Sequence, residues 1–417
     1  MGADRNVCLY DGKTGEVKGK IGAGEHTGSI FAVSWAADSR QFATASADQT
    51  VKLWDVEAGR ATSSWKLGEG IANHQVGVVW PAARTDGLVI SLSLSGDLNY
   101  FEARSPRPVR VVQGHQKNIT SSAITPGGQT LWTGSYDGRV CGWDLASGTA
   151  TAPQGAGHTN QVSGIAPASD ESGTTHTVAW DDTLRAIDSS RAFLPDATSK
   201  LSAQPVAVLS LSPHILLVAT ISGLAVYTPS STNPLLTLPT SYNPTALAFS
   251  GSTIVVSASD STLHLYTLSS PSGKTPTLTP APAPTTTPSS VSALAFSHSS
   301  STSPLLAAGL STGKILVYSL SSGPSLDLIT DRWGGHTARV TGIAWNAAGT
   351  HAVSGSLDTN VFVWSLASPG KKVKRGNAHK EGVTGVQWVA SSQGDEGRII
   401  SVGGDAAVKT WKVGGLV

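Results

Sequence analysis

The chain has 417 residues, with 29 Lys and Arg against 28 Asp and Glu, so its formal charge of +1 gives no overall bias toward nucleic acid or an anionic membrane. A hydrophobic share of 39% suffices for a core, and 45 glycines with abundant Ser and Thr favour turn-rich β structure over helix bundles. Two cysteines, Cys8 and Cys141, lack the spacing of a zinc site or disulfide framework and fit a reducing cytosolic compartment. A polar stretch from Met1 to Lys20, and the lack of any apolar run of about 18 residues, suggest neither a signal peptide nor a membrane span.

In chain order, Asn6 to Asp11 reads as the closing strand of a repeat whose beginning is missing. A full repeat follows, from His26 through the alternating runs Ile30 to Trp35, Gln41 to Ala45 and Thr50 to Trp54, separated by Asp, Gly and Ser turns. Asn73 to Phe101 is a degenerate copy, and His115 to Asp144 is a second full one. Degenerate copies then run from His158 to Ile187, Pro205 to Tyr227, Asn243 to Tyr266 and Ser290 to Tyr318. Full repeats return at His336 to Trp364 and His379 to Trp411, making nine in all. Ser189 to Gln204 and the basic stretch Gly370 to Gly376 read as solvated connections, and the Pro- and Thr-rich segment 271–290 as an extended, mobile loop. A four-stranded unit of this size cannot bury both faces alone, so neighbouring sheets must stack radially into a β-propeller.

Four sets of polar residues recur at matching spacing: His26, Thr44, Asp48 and Trp54; His115, Thr133, Asp137 and Trp143; His336, Ser354, Asp358 and Trp364; His379, Ser401, Asp405 and Trp411. In each, Ser or Thr precedes Asp by four residues and Asp precedes Trp by six. These residue types also build hydrolase triads, but an enzyme needs one such set at one pocket. Four copies are explained at once if Trp N–H, hydroxyl, His and Asp satisfy one another inside each blade. No catalytic, metal or cofactor site is expected. The glycines at 22, 24 and 28 join two β segments, open no helix, and so do not make a phosphate loop. Trp35, Trp54, Trp143, Trp345, Trp364, Trp388 and Trp411 fall at inward strand positions, where they serve core packing better than base stacking.

Some stretches are more specific than the repeat signature. Leu9 to Glu16, His26 to Trp35, Ala45 to Val56, Asn73-His74-Gln75-Val76-Gly77-Val78-Val79-Trp80, Ile90 to Tyr100 and Gly114 to Thr120, in this order, resemble the actin-interacting protein 1 family of WD-repeat proteins. The resemblance is strong over Asn6 to Asp144 and looser but collinear to Trp411. It implies an all-β WD40 fold, two seven-bladed propellers side by side in the family, and binding to actin filaments decorated with cofilin to promote their severing and disassembly. It places the protein at the cytoplasmic actin cytoskeleton, without catalysis, nucleic acid or membrane.

By that comparison, 106–417 is a complete second propeller, while 1–105 holds the last two and a fraction blades of the first. The N-terminal blades are missing, as in a truncated form, and family contacts on them have no counterpart here. The outer strand of the last blade comes either from Pro108 to Gln113 or from outside the sequence. In WD propellers generally, partners meet the two positions just after the His and the one before the Asp. These are Gln116, Asn118 and Tyr136, then Thr337, Arg339 and Leu357, with Thr27 and Ser29 near the start. Tyr136 and Arg339 lead, because aromatic and Arg side chains dominate binding energy. The alternative function is a WD scaffold for another cytosolic complex.

The network reading predicts that Trp143→Ala destabilises its blade by about 3–5 kcal/mol through cavity formation. A melting curve that matches the wild type would reject it.

Overall fold

The structure, a computed structural model, describes residues 5–81, 84, 86–170, 172–229, 231–269, 276–297, 304–320, 325–389 and 397–414. Apart from one short 3-10 turn at Ile71–Asn73, the regular elements are antiparallel strands in consecutive hairpins. The chain divides into two compact units, residues 1–116 and 117–417.

In residues 117–417, seven sheets follow one another among the described residues. Their first strands are Ile119–Ile124, Val162–Pro167, Pro205–Ser212, Pro244–Ser250, Val291–Phe296, Val340–Trp345 and Val383–Val389. Each first strand packs against the next, and the seventh packs against the first. At that closure the Gln387 side chain donates to the Ser122 carbonyl at 3.1 Å, across a sequence separation of 265 residues. This unit is an all-β propeller.

The seven apolar clusters of this unit each lie between two neighbouring sheets. Leu217 and Val226 of the third sheet meet Ile254 and Val256 of the fourth, and Ile119 and Leu131 of the first meet Ile400 and Val402 of the seventh. A belt of hydroxyls joins the inner strands. Thr120 donates to the Val162 carbonyl (2.7 Å), Ser163 to Pro205 (2.9 Å), Thr245 to Val291 (2.8 Å), Ser292 to Val340 (2.6 Å) and Thr341 to Val383 (2.6 Å). The third sheet has Val206 at the same position and offers no hydroxyl there.

Residues 1–116 hold three sheets among the described residues. Val7–Tyr10 pairs with Val17–Ile21, and two four-stranded sheets follow, starting at Ile30–Trp35 and Gln75–Val79. Two apolar clusters bind the three sheets, one around Phe42 and Trp54 and one around Trp65 and Phe101. Arg110–Val112 pairs with Leu98–Phe101 as the outer strand of the third sheet, so the division falls after Gln116 and not at the 105/106 boundary read from the repeats. The segment therefore does not close the last sheet, which has three strands among the described residues.

Several connections read as loops are strands. Thr277–Pro280 and Thr285–Thr286 both pair with Thr262–Ser269, so the described part of the Pro- and Thr-rich segment edges its sheet; residues 271–275 lie outside the described residues. An outer strand needs pairing on one side only and tolerates Pro, and Leu278 supplies a buried side chain. Phe193–Lys200 and Lys372–Arg375 are likewise outer strands, the latter with all four residues exposed. Trp35, read as inward, is 44% exposed, because it sits at the end of a first strand in the three-sheet unit.

His176 lies on the second strand of its sheet, Thr175–Ala179, and is only 2% exposed. Neither ring nitrogen makes a hydrogen bond of normal geometry. Burial lowers its pKa to about 4, and the nearby Pro229 backbone offsets only part of that. The unfolded chain, titrating near 6.5, binds the proton more tightly, so this contribution to stability is complete above pH 6.5 and is lost as the pH falls toward 4. Between pH 7 and pH 5 the loss from this one group is about 2 kcal/mol. In urea denaturation at those two pH values, His176→Leu should shrink the difference in unfolding free energy by about that amount.

Candidate functional site

The recurring polar residues meet at the hairpin between the second and third strands of a sheet. Trp364 Nε1 donates to Ser354 Oγ (2.8 Å), Ser354 Oγ lies 2.8 Å from His336 Nε2, and His336 Nδ1 lies 3.0 Å from Asp358 Oδ2. A carboxylate only accepts, so Nδ1 carries the proton and donates to Asp358. Nε2 then accepts the Ser354 hydrogen, and every bond runs one way from indole to carboxylate. His26, Thr44, Asp48 and Trp54 repeat the chain at 2.7–2.8 Å, as do His379, Ser401, Asp405 and Trp411. Burial pushes His336 and His379 down, which favours this neutral form.

The Asp carboxylate also holds two stretches of backbone. Asp358 accepts from the Thr337 amide (2.9 Å) and the Asn360 amide (3.0 Å), and Asp48 accepts likewise from Thr27 and Thr50 (both 2.9 Å). Burial alone would raise these carboxyls, but the amide and His bonds outweigh it, and Asp48, Asp358 and Asp405 all lie below the usual range. The residue after the Asp takes a left-handed backbone: Gln49 at φ 66°, Thr359 at 70° and Ala406 at 58°. For a β-branched residue such as Thr359 that is strained by about 1–3 kcal/mol, and the adjoining carboxylate bonds offset it. In the first sheet of residues 117–417 the position is Gly138, where a Cβ would stand 2.4 Å from the His158 carbonyl oxygen.

The set at His115 is divided between the two compact units. Trp143 donates to Thr133 at 2.7 Å and Asp137 accepts from the Arg139 amide at 3.1 Å, while His115 belongs to the other compact unit. Conversely, the repeat read as degenerate from His158 to Ile187 keeps most of the chain. His158 Nε2 is 2.8 Å from Thr177 Oγ1, and Nδ1 is 3.2 Å from both oxygens of Asp181. Only the indole is gone. Thr177 precedes Asp181 by four residues, the spacing of the full repeats, so the signal is present in the sequence. The sheet starting at Gln75–Val79 substitutes an amide network: Ser91 donates to Gln75 (2.6 Å), and Gln75 and Asn99 both donate to Ser93 (2.9 Å). Ser354, Ser401 and Thr44 are all buried and accept an indole N–H, so no substrate can reach them as nucleophiles. Among the described residues, no group of three or more His, Cys, Asp or Glu could hold a metal ion.

Asn118, Tyr136, Thr337, Arg339 and Leu357 are exposed in residues 117–417; Thr27, Ser29 and Gln116 belong to the other unit, where the Gln116 side chain donates to the Leu94 carbonyl (3.2 Å). Arg339 and Leu357 line a funnel of 620 Å³ at the end of the propeller axis where the first strands begin. Its walls carry the belt residues Thr120, Ser163, Thr245, Ser292 and Thr341, and its rim carries Trp180 and Ile221, which the sequence reading omitted. Both occupy the turn position of Tyr136 and Leu357, but in repeats classed as degenerate.

The WD domain, G-beta repeat family profile matches residues 21–55, 106–144 and 328–365. Actin-interacting protein 1 of Drosophila melanogaster is 32% identical over 417 residues, covering 99% of this chain and 64% of that protein. WD repeat-containing protein 1 of Xenopus tropicalis is 33% identical over 420 residues, and the 66 kDa stress protein of Physarum polycephalum 31% over 419, each across 99% of this chain and 65% of the relative. The similarity to these relatives, actin-interacting protein 1 among them, runs along nearly the whole of this chain. The chain spans 64–65% of the length of these relatives. Each stretch matched by the profile ends one residue after a full-motif Trp, at Asp55, Asp144 or Ser365. The fourth full repeat, which ends at Trp411, has a longer first half, with His379 and Ser401 22 residues apart against 18 for His336 and Ser354, and goes unmatched.

Removing the shared hydroxyl of one chain leaves two buried groups without a partner, each worth about 1–3 kcal/mol. Ser354→Ala should therefore cost about 2–6 kcal/mol in urea denaturation, whereas Thr337→Ala, on the exposed surface, should stay within about 0.5 kcal/mol of wild type.

Proposed function

We propose that this chain is a WD-repeat scaffold that binds actin filaments and promotes their cofilin-dependent severing and disassembly at the cytoplasmic actin cytoskeleton. The observation that carries the reading is collinear similarity across 99% of the chain to a protein named for its interaction with actin. The site chemistry fits a binding role: hydroxyl, imidazole and carboxylate are consumed in buried structural chains, while the exposed residues at the propeller mouth include aromatic, aliphatic and Arg side chains. On this reading residues 117–417 are a whole seven-bladed ring, and the first unit is the last two and a fraction blades of a second propeller. The protein acts by shape-specific binding to the decorated filament, without catalysis or cofactor. Among the described residues no helix is long and apolar enough to cross a membrane.

Co-sedimentation with actin filaments, with and without cofilin, tests the proposal. The chain should pellet with filaments, more so when cofilin is present, and should raise the severing frequency of single filaments under the microscope. A scaffold for some other cytosolic complex would stay in the supernatant in both conditions, and that result would overturn the actin reading.

A further inference from the structure

We propose that the funnel mouth of residues 117–417 is the docking site for a protein segment that carries a carboxylate beside bulky apolar side chains; the inference rests on the actin-filament reading and names the part of this chain that makes the contact. The turn between the second and third strands places one residue of each sheet around the mouth, always held by the same bond from its amide to the carbonyl that precedes or opens the first strand. Tyr136 bonds to Asn118 (2.9 Å), Trp180 to Gln161 (2.8 Å), Ile221 to Gln204 (3.0 Å) and Leu357 to Arg339 (3.2 Å). Ser259, Ser311 and Gly404 make the equivalent bonds on the remaining sheets.

In ring order, from the sixth sheet through the seventh to the third, these residues read Leu357, Gly404, Tyr136, Trp180 and Ile221. Side chains that are 42%, 58%, 41% and 48% exposed, for Leu357, Tyr136, Trp180 and Ile221, thus form one apolar arc, interrupted by a single glycine. The opposite side of the mouth carries Ser259 and Ser311. Since serine and glycine satisfy the same turn bond, the fold does not require the large residues; leaving them in water is unfavourable, and a partner that covers them recovers that energy.

Charge fixes the complementary chemistry. Among the described residues, Arg339 is the only charged side chain lining the funnel, and it makes no ion pair there. The belt hydroxyls below it already donate to carbonyls of neighbouring sheets, so among the described residues of the mouth the guanidinium is the one cationic donor. A planar fork beside an apolar arc suits a carboxylate held bidentately, with aliphatic or aromatic neighbours lying on Leu357, Trp180 and Ile221.

The test uses the full chain with cofilin-decorated filaments and compares apparent affinities by co-sedimentation. Arg339→Glu and the double variant Trp180→Ala/Ile221→Ala should each bind at least about tenfold more weakly, the scale of one lost anchor. Arg339→Lys, which keeps the charge, should fall between Arg339→Glu and wild type. Leu328→Ser, at an exposed apolar position on an outer strand, should bind as wild type. Melting temperatures should stay within a few degrees, because all the altered side chains are exposed. If the wild type pellets and the mouth variants pellet equally well, the funnel is not the docking site and the actin reading stands. If the wild type remains in the supernatant in both conditions, the actin reading falls and this inference falls with it.

Discussion

A twisted four-stranded sheet has two apolar faces and no means of covering either by itself, and everything else in this molecule follows from that. In residues 117–417 there are seven sheets and seven apolar clusters among the described residues, each cluster shared by two neighbours, so every sheet is covered on both sides. Equal numbers of sheets and interfaces are the condition for a closed ring. Residues 1–116 have three sheets and two clusters, so two sheet faces lack a partner within the unit. Accordingly, twelve of the 21 large apolar residues exposed among the described residues lie in this unit, from Tyr10 to Val111, although it is little more than a quarter of the chain.

Closure leaves the inner strands lining an axis, and the belt from Thr120 to Thr341 sets their spacing with hydrogen bonds that run from one sheet to the next. The indole-to-carboxylate chains act within a single sheet, tying its hairpin to the segment that enters its first strand. Together they hold the mouth residues on short turns whose backbone strain is stabilised by Asp carboxylates. A rigid rim can present Tyr136, Trp180 and Arg339 without losing much entropy on binding, which is what a recognition surface needs in place of chemistry.

The architecture was largely legible because its cause is local. The interval of four residues from hydroxyl to Asp and six from Asp to Trp is set by one hairpin, and the chains at His26, His336 and His379 follow from it. Where a repeat lost one member, reading by complete motif failed: Ile187 in place of Trp concealed His158, Thr177 and Asp181, and with them Trp180 on the rim. The belt was written plainly in Ile119-Thr120, Val162-Ser163, Pro244-Thr245, Val291-Ser292 and Val340-Thr341. A hydroxyl in a strand has many uses, however, and its acceptor is more than forty residues away. Outer strands were hardest, because a strand paired on one side needs little apolar pattern; Thr277–Pro280 and Lys372–Arg375 look like linkers and are not.

The junction between the first and seventh sheets has no covalent tie across it, and its two sides lie 265 residues apart where Gln387 meets Ser122. During synthesis at about 5–20 residues per second, Ile119 and Leu131 must therefore wait roughly 15–50 s for Ile400 and Val402 to emerge. For that interval the nascent chain carries an uncovered hydrophobic face, so exposure to aggregation belongs to the ribosome-bound stage more than to the finished ring.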